Sequence, residues 1–157
     1  AADEDPTLLR VKARYYGACV LYIMGIVLTL LADQQKTLVL EIKRPLMKGK
    51  SVLISDGFYT NSRNPNYLGE MMLYFSFAMV ANHWLPYSIL AFVWLSLFAA
   101  RMYQKELSYK RKEGWKEYQE RSWILLPKIN GRMLDSIIFY GAFGAALTQY
   151  WKFVLGW

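Results

Sequence analysis

The sequence has 157 residues, 55% of them hydrophobic and 17% aromatic, and a formal net charge of +7. Charged residues make up only 20% of the chain and stand in blocks between apolar stretches, which is typical of a membrane protein. Because the basic residues flank the apolar stretches, nucleic-acid binding is not expected. The single cysteine, Cys19, excludes an intrachain disulfide and a thiolate zinc site.

The apolar stretches predict an all-α fold, a polytopic integral membrane bundle of about four transmembrane helices. Residues 1–14 are acidic and then mixed, and we expect them to form an interfacial N-terminal tail. Tyr15–Ala32 is long enough to span a membrane, and its Gly17 and Gly25 favour close contact with a neighbouring helix. Asp33 ends this apolar run.

The segment after the first span is polar. Pro45 is expected to stop the helix that leaves the membrane, and Val52–Ile54 to form a strand-like segment on the membrane surface. Tyr67–Ala81 and Tyr87–Ala100 then predict a hairpin of two spans.

A basic block follows at residues 101–121, and Gly114 is expected to break or cap its helix. Leu134–Trp157 is a fourth apolar stretch, so residues 131–157 are predicted to add a C-terminal transmembrane helix. Four spans place the basic block on the same side as the loop before the second span. Of the 19 Lys and Arg residues, all but Arg10, Lys12, Arg14 and Lys152 lie in Lys36–Arg63 or Arg101–Arg132, which the positive-inside rule places in the cytosol or a matrix.

The densest polar cluster beside a span is Arg63-Asn64-Pro65-Asn66-Tyr67-Leu68-Gly69-Glu70. Pro65 disfavours the α conformation for Asn64, so the backbone turns there and a helix opens immediately afterwards. Glu70 then lies about one turn inside a membrane helix, where a carboxylate is unfavourable unless it has a partner or a function. This motif is therefore the first candidate for a functional site.

The motif resembles the signature of the steroid 5-alpha-reductase C-terminal domain, in a wider class with sterol reductases and isoprenylcysteine methyltransferases. The resemblance covers most of the chain, and residues 15–130 are taken as a steroid-reductase-like membrane domain. It implies an NADPH-dependent reductase of a lipid or sterol-like enone, with Glu70 and Tyr67 as catalytic residues. Hydride addition to an enone places negative charge on its carbonyl oxygen, and a hydrogen bond from Glu70 would stabilise that charge.

The resemblance also implies contacts to the cofactor. Asn66 and Tyr67 match residues that contact nicotinamide and close the pocket, Arg63 and Asn64 fit the same environment, and Asp33 falls where the family has an acidic contact. The basic block would bind the adenosine phosphates by charge-assisted hydrogen bonds, and no metal site is expected. Its candidate residues are Arg101, Lys105, Lys110, Arg111, Tyr118 and Arg121.

Two other functions stay open. The methyltransferases have a histidine where this chain has Asn64, so S-adenosylmethionine-dependent methyl transfer is the less favoured.

The reductases carry further N-terminal helices, and residues 131–157 lie past the point where that family normally ends. These departures indicate a non-catalytic accessory subunit of a membrane complex, such as a mitochondrial respiratory or ATP synthase assembly, whose pocket holds a lipid. The membrane is then the mitochondrial inner membrane or the endoplasmic reticulum, with the signature loops on the matrix or cytosolic side.

Overall fold

The computed structural model describes residues 5–46 and 51–155, and within these ranges the chain is helical and contains no strand. The all-α class predicted from the sequence is therefore confirmed. A π-helical segment, Trp94–Phe98, joins the third and fourth helices, and short 3-10 turns lie at Gly57–Tyr59 and Ile129–Gly131. The helices are α1 Pro6–Leu46, α2 Pro65–Ala81, α3 Trp84–Val93, α4 Ala99–Tyr109, α5 Trp115–Arg121 and α6 Met133–Leu155.

Two helices in the described ranges are long and apolar enough to cross a membrane, Pro6–Lys43 and Trp84–Tyr109. Only 17% and 11% of their apolar windows are buried inside the protein, whereas the core helix of a soluble protein is mostly buried. This exposure is consistent with a membrane protein. Helix α2 has 17 residues and α6 has 23, and a membrane crossing by these two stays a prediction.

Helix α1 is longer than the sequence pattern indicates. It is continuous from Pro6 through Arg14 and Asp33, so the predicted interfacial tail is helical over its described part from Pro6 onward. Pro45 also lies inside α1, one residue before its end. A proline there removes a backbone hydrogen bond only in the last turn, which is why the helix does not stop earlier.

The other predicted boundaries agree more closely with the structure. Helix α2 begins at Pro65, which occupies its first turn, and Gly114 precedes α5 with a φ of +77°. Val52–Ile54 is not a strand, because the backbone pairing in this region is an isolated bridge between Ser62 and Trp123. The bridge ties the loop before α2 to the segment after α5.

The most extensive helix–helix contact joins α1 to α2 and depends on two glycines. A Cβ built on Gly25 would lie 2.7 Å from both the carbonyl oxygen of Gly69 and the amide nitrogen of Leu73. A Cβ on Gly69 would lie 2.8 Å from the carbonyl oxygen of Gly25. The backbones of the two helices therefore touch at this crossing, which fixes the signature motif against α1 as the sequence pattern at Gly25 suggests.

We expect Gly25→Ala to destabilise the protein by about 1–3 kcal/mol, because the new methyl group meets backbone atoms that cannot turn aside. The matched control is Gly144→Ala in α6, where a Cβ has no neighbour within 4 Å. Thermal unfolding in detergent micelles measures the stability of both variants. Equal midpoints for the two variants would contradict the close crossing.

Candidate functional site

The loop that precedes α2 is held by the segment that follows α5. The amide of Arg63 donates to the carbonyl oxygen of Trp123 at 2.9 Å, and the amides of Trp123 and Lys128 donate to the carbonyl of Asn61 at 3.1 and 2.9 Å. These backbone bonds do not depend on side-chain identity. They fix the direction in which the motif enters α2.

The buried side chain of Tyr118 forms hydrogen bonds with the backbone of the same loop. Its hydroxyl donates to the carbonyl oxygens of Tyr59 at 2.7 Å and Ser62 at 3.3 Å, and its side chain is buried. Burial raises the pKa of Tyr118, so the hydroxyl stays protonated and keeps donating at neutral pH. Arg121 donates to the carbonyl of Ser55 at 2.5 Å and lies over the Tyr118 ring. The structure thus places both of these predicted phosphate ligands in contacts within the protein.

Arg63 forms a buried ion pair. Its Nε donates to Oε1 of Glu106 at 2.8 Å, and its Nη1 donates to the carbonyl of Ser122 at 2.6 Å. The guanidinium also lies over the ring of Trp115, with 5.4 Å to the centroid. These contacts join the motif to α4 and α5. Arg63 therefore has a structural role here, whatever it contributes to a ligand.

Asn64 and Lys105 connect the motif to the interior of the site. Asn64 is fully buried, and its Nδ2 donates to the carbonyl of Ile124 at 2.8 Å. Its Oδ1 accepts from Nζ of Lys105 at 3.2 Å, and the same ammonium lies 4.0 Å from the centroid of the Tyr67 ring. Lys105 is thus held at a defined position beside Tyr67.

Five predicted residues from three helices come together as a cluster of charges. The Lys105 ammonium lies 4.0 Å from the centroid of the Tyr67 ring, and Asp33, Glu70 and Arg101 are close enough to act electrostatically on both of these side chains. We call this group the charge cluster: two carboxylates, two cations and a phenol. Such a group can donate protons to, and stabilise charge on, a ligand placed among them.

The π-helical segment sets the register of α4 against α2. Phe98, in that segment, is buried with its ring 5.2 Å from the ring of Tyr67. A π turn adds one residue to a helical turn, so every later residue is rotated by about 100° relative to a regular helix. The rotation decides which face of the helix Arg101 and Lys105 occupy. No signal in the sequence predicts it.

Asn66 holds an unpaired polar atom. Its side chain is only 5% exposed, and Oδ1 is buried without a hydrogen-bond partner. Its backbone oxygen accepts from the Thr29 hydroxyl at 3.4 Å. Buried amide oxygens in folded proteins nearly always accept a hydrogen bond, so this unpaired atom is an exception that packing alone does not explain.

A cavity of about 180 Å³ lies beside the charge cluster and shares Lys105 with it. We call it the lysine cavity, because Lys36, Lys105 and Lys112 line it and, among the residues that the structure describes, no carboxylate does. Lys112 donates to the carbonyl of Val52 at 2.7 Å, and burial together with the charge of Lys36 lowers the pKa of Lys112. The cavity is therefore suited to an anion. The remaining lining residues are Leu40, Val52, Ile54, Tyr59 and Tyr109.

Sequence reasoning missed Lys36, Lys112 and Glu106 as parts of this region. Lys36 was open to prediction, because it lies one helical turn after Asp33 and shares its face once α1 is extended past that residue. Glu106 directly follows Lys105, but its pairing with Arg63 spans 43 residues and leaves no local signal.

Comparison with known proteins identifies the family. A profile described as "Protein of unknown function (DUF1295)" matches residues 1–122, which include α1 to α5. Searches of curated proteins and of solved structures find no match. The matched family is associated with steroid 5-alpha-reductase-like proteins, in line with the resemblance of the signature motif. The chain belongs to the DUF1295 family.

Proposed function

We propose that the protein is a membrane reductase that uses NADPH to reduce the conjugated double bond of a lipid or sterol-like enone. The observation that carries this proposal is the shared position of Lys105, which belongs both to the charge cluster and to the lysine cavity. An acid–base group thus lies directly beside a cationic cavity. With α2 and α6 as further spans, both would lie on the basic side of a four-helix bundle.

The cationic lining of the lysine cavity suits the phosphate groups of NADPH. The ammonium groups of Lys36, Lys105 and Lys112 would hold phosphate groups by charge-assisted hydrogen bonds. The unpaired Oδ1 of Asn66 would accept an N–H from the carboxamide of nicotinamide. When bound, NADPH supplies a hydride for the β-carbon of an enone.

The charge cluster would stabilise the product of that addition. Negative charge develops on the carbonyl oxygen of the enone, and the Tyr67 hydroxyl and a protonated Glu70 carboxyl are the two donors for it. Arg101, a cation that acts electrostatically on Tyr67, would place a positive charge beside the developing anion. A proton from solvent on the α-carbon completes the reduction to the saturated ketone.

NADPH binding tests the proposal. We expect purified protein in detergent micelles to bind NADPH in the micromolar range, followed by nucleotide fluorescence. Lys36→Gln should weaken binding about tenfold, because one of three cavity ammonium groups is lost. Lys116→Gln is the matched control, since it removes the same charge from an exposed position in α5. Absence of binding, or equal effects of the two variants, would overturn the assignment of the lysine cavity.

A second candidate is an accessory subunit of a membrane complex. Helix α6 favours it, because Gly141 and Gly144 have no neighbour within 4 Å and lie among exposed apolar side chains such as Phe143. Small residues let a helix of another subunit approach closely. Co-purification at fixed stoichiometry with a larger complex, without NADPH binding, would favour this function over the reductase.

A further inference from the structure

We infer that a groove between α1, α2 and α6 binds one anionic phospholipid, with an acyl chain in the groove and the phosphate at Arg14. The groove has a volume of about 490 Å³, within the range of roughly 300–1,000 Å³ typical of small-molecule sites. It is separate from the charge cluster and the lysine cavity, so this inference does not depend on the proposed reductase. Among its lining residues are Gly17, Val20, Phe75, Phe143 and Leu147.

Helix α6 contacts the segment after α5 through its N-terminal half, where the Tyr140 hydroxyl donates to the carbonyl oxygen of Pro127, and it contacts α1 and α2 near its C-terminal end. There the Tyr150 hydroxyl donates to the carbonyl oxygen of Ala13 at 2.8 Å, and the Trp151 ring meets the Phe75 ring edge-on at 6.2 Å. One and two turns earlier, Leu147 and Phe143 line the open space.

The groove opens sideways, toward where the bilayer would lie. Val20 on one wall is 55% exposed, and Phe143 on the other is 51% exposed. A lipid chain can therefore enter from the side without a change of the fold. Its lining is almost wholly apolar, so it matches a hydrocarbon chain and offers nothing to a polar ligand along its length.

Charge at one end of the groove selects the headgroup. Arg14 lies one helical turn before Gly17, on the same face of α1, and its Nε is buried without a hydrogen-bond partner. The guanidinium lies over the Tyr15 ring, 5.5 Å from its centroid. Aromatic residues and an arginine at the end of a membrane helix are typical of the headgroup level. A guanidinium binds phosphate oxygens through paired charge-assisted hydrogen bonds, so a lipid phosphate suits Arg14 at this level.

Native mass spectrometry of the full chain tests this site, with dioleoylphosphatidylglycerol and dioleoylphosphatidylcholine added to the detergent-purified protein. We expect one phosphatidylglycerol to be retained per chain, in preference to phosphatidylcholine. Arg14→Gln should weaken phosphatidylglycerol binding about tenfold and remove the preference. Arg10→Gln is the matched control, because it removes the same charge from an exposed position one turn earlier in α1.

A second pair of variants tests the groove itself. Leu147→Trp should reduce retention of both lipids, because the larger ring fills the space that an acyl chain would occupy. Ile138→Trp in the same helix is the control, since Ile138 is 63% exposed and lies outside the groove lining. Equal binding of the two lipids by the unmodified protein, or equal effects within either pair of variants, would overturn the inference. Circular dichroism checks that every variant is folded.

Discussion

Glu106→Ala is expected to lower the free energy of unfolding by about 3–5 kcal/mol, the largest loss of stability predicted for a single substitution in this chain. The ion pair of Glu106 with Arg63 is almost fully enclosed, with the side chains 14% and 9% exposed. Removal of the carboxylate leaves the guanidinium buried without a counter-charge. Ser122 still accepts from it, but a hydroxyl and a carbonyl do not neutralise a cation.

Chemical unfolding in detergent micelles, followed by the near-ultraviolet signal of the aromatic side chains, measures this loss. Glu120→Ala is the control, because Glu120 is an exposed residue of α5 and its loss should change stability by no more than about 0.5 kcal/mol. The double variant Arg63→Met/Glu106→Leu should recover most of the stability, since it removes both charges and leaves neither uncompensated. If Glu106→Ala were as stable as Glu120→Ala, the ion pair would not hold the signature loop.

The helices were predictable where an apolar run alone determines them. The polar second half of α1 was harder, because its support comes from residues far along the chain. Gln35 donates to the carbonyl of Asp56 at 2.8 Å and accepts from the amide of Phe58 at 2.9 Å. Gly57 between them has a φ of +57°, which lets the loop turn tightly onto the helix. The sequence predicts the end of this helix at Pro45, close to its observed end at Leu46, but it does not reveal the loop that docks on the helix, because that contact joins residues far apart in the chain.

In the candidate site, too, the sequence predicted features that depend on a local motif but not those that depend on contacts between distant residues. The motif and its resemblance identified Tyr67, Glu70 and Asn66, and the structure brings Glu70 and Tyr67 together with Asp33, Arg101 and Lys105. A resemblance to a family indicates which role a residue would have, but it does not show which atoms that residue contacts in this chain. It therefore predicted cofactor contacts for Arg63 and Tyr118, whose described hydrogen bonds go to Glu106, Ser122 and backbone carbonyls.

The second large effect concerns the proposed reaction. We expect Glu70→Gln to lower kcat for NADPH-dependent reduction of an enone by about 10²- to 10⁴-fold, because the amide cannot supply the acidic proton that stabilises the carbonyl anion. Progesterone serves as a sterol-like enone probe, with the reduced product measured by mass spectrometry. NADPH binding should change little, since the lysine cavity keeps Lys36, Lys105 and Lys112.

The split between turnover and binding is what makes Glu70→Gln informative. A collapse of the site would lower both, whereas loss of a catalytic donor lowers kcat alone. Glu113→Gln, at an exposed position after α4, is the matched control and should retain full activity. Tyr67→Phe should give a similar loss of kcat, because the Tyr67 hydroxyl is the other donor in the charge cluster. A Glu70→Gln protein that reduces progesterone at the unmodified rate would remove the carboxyl from the reaction and leave Tyr67 as the acid.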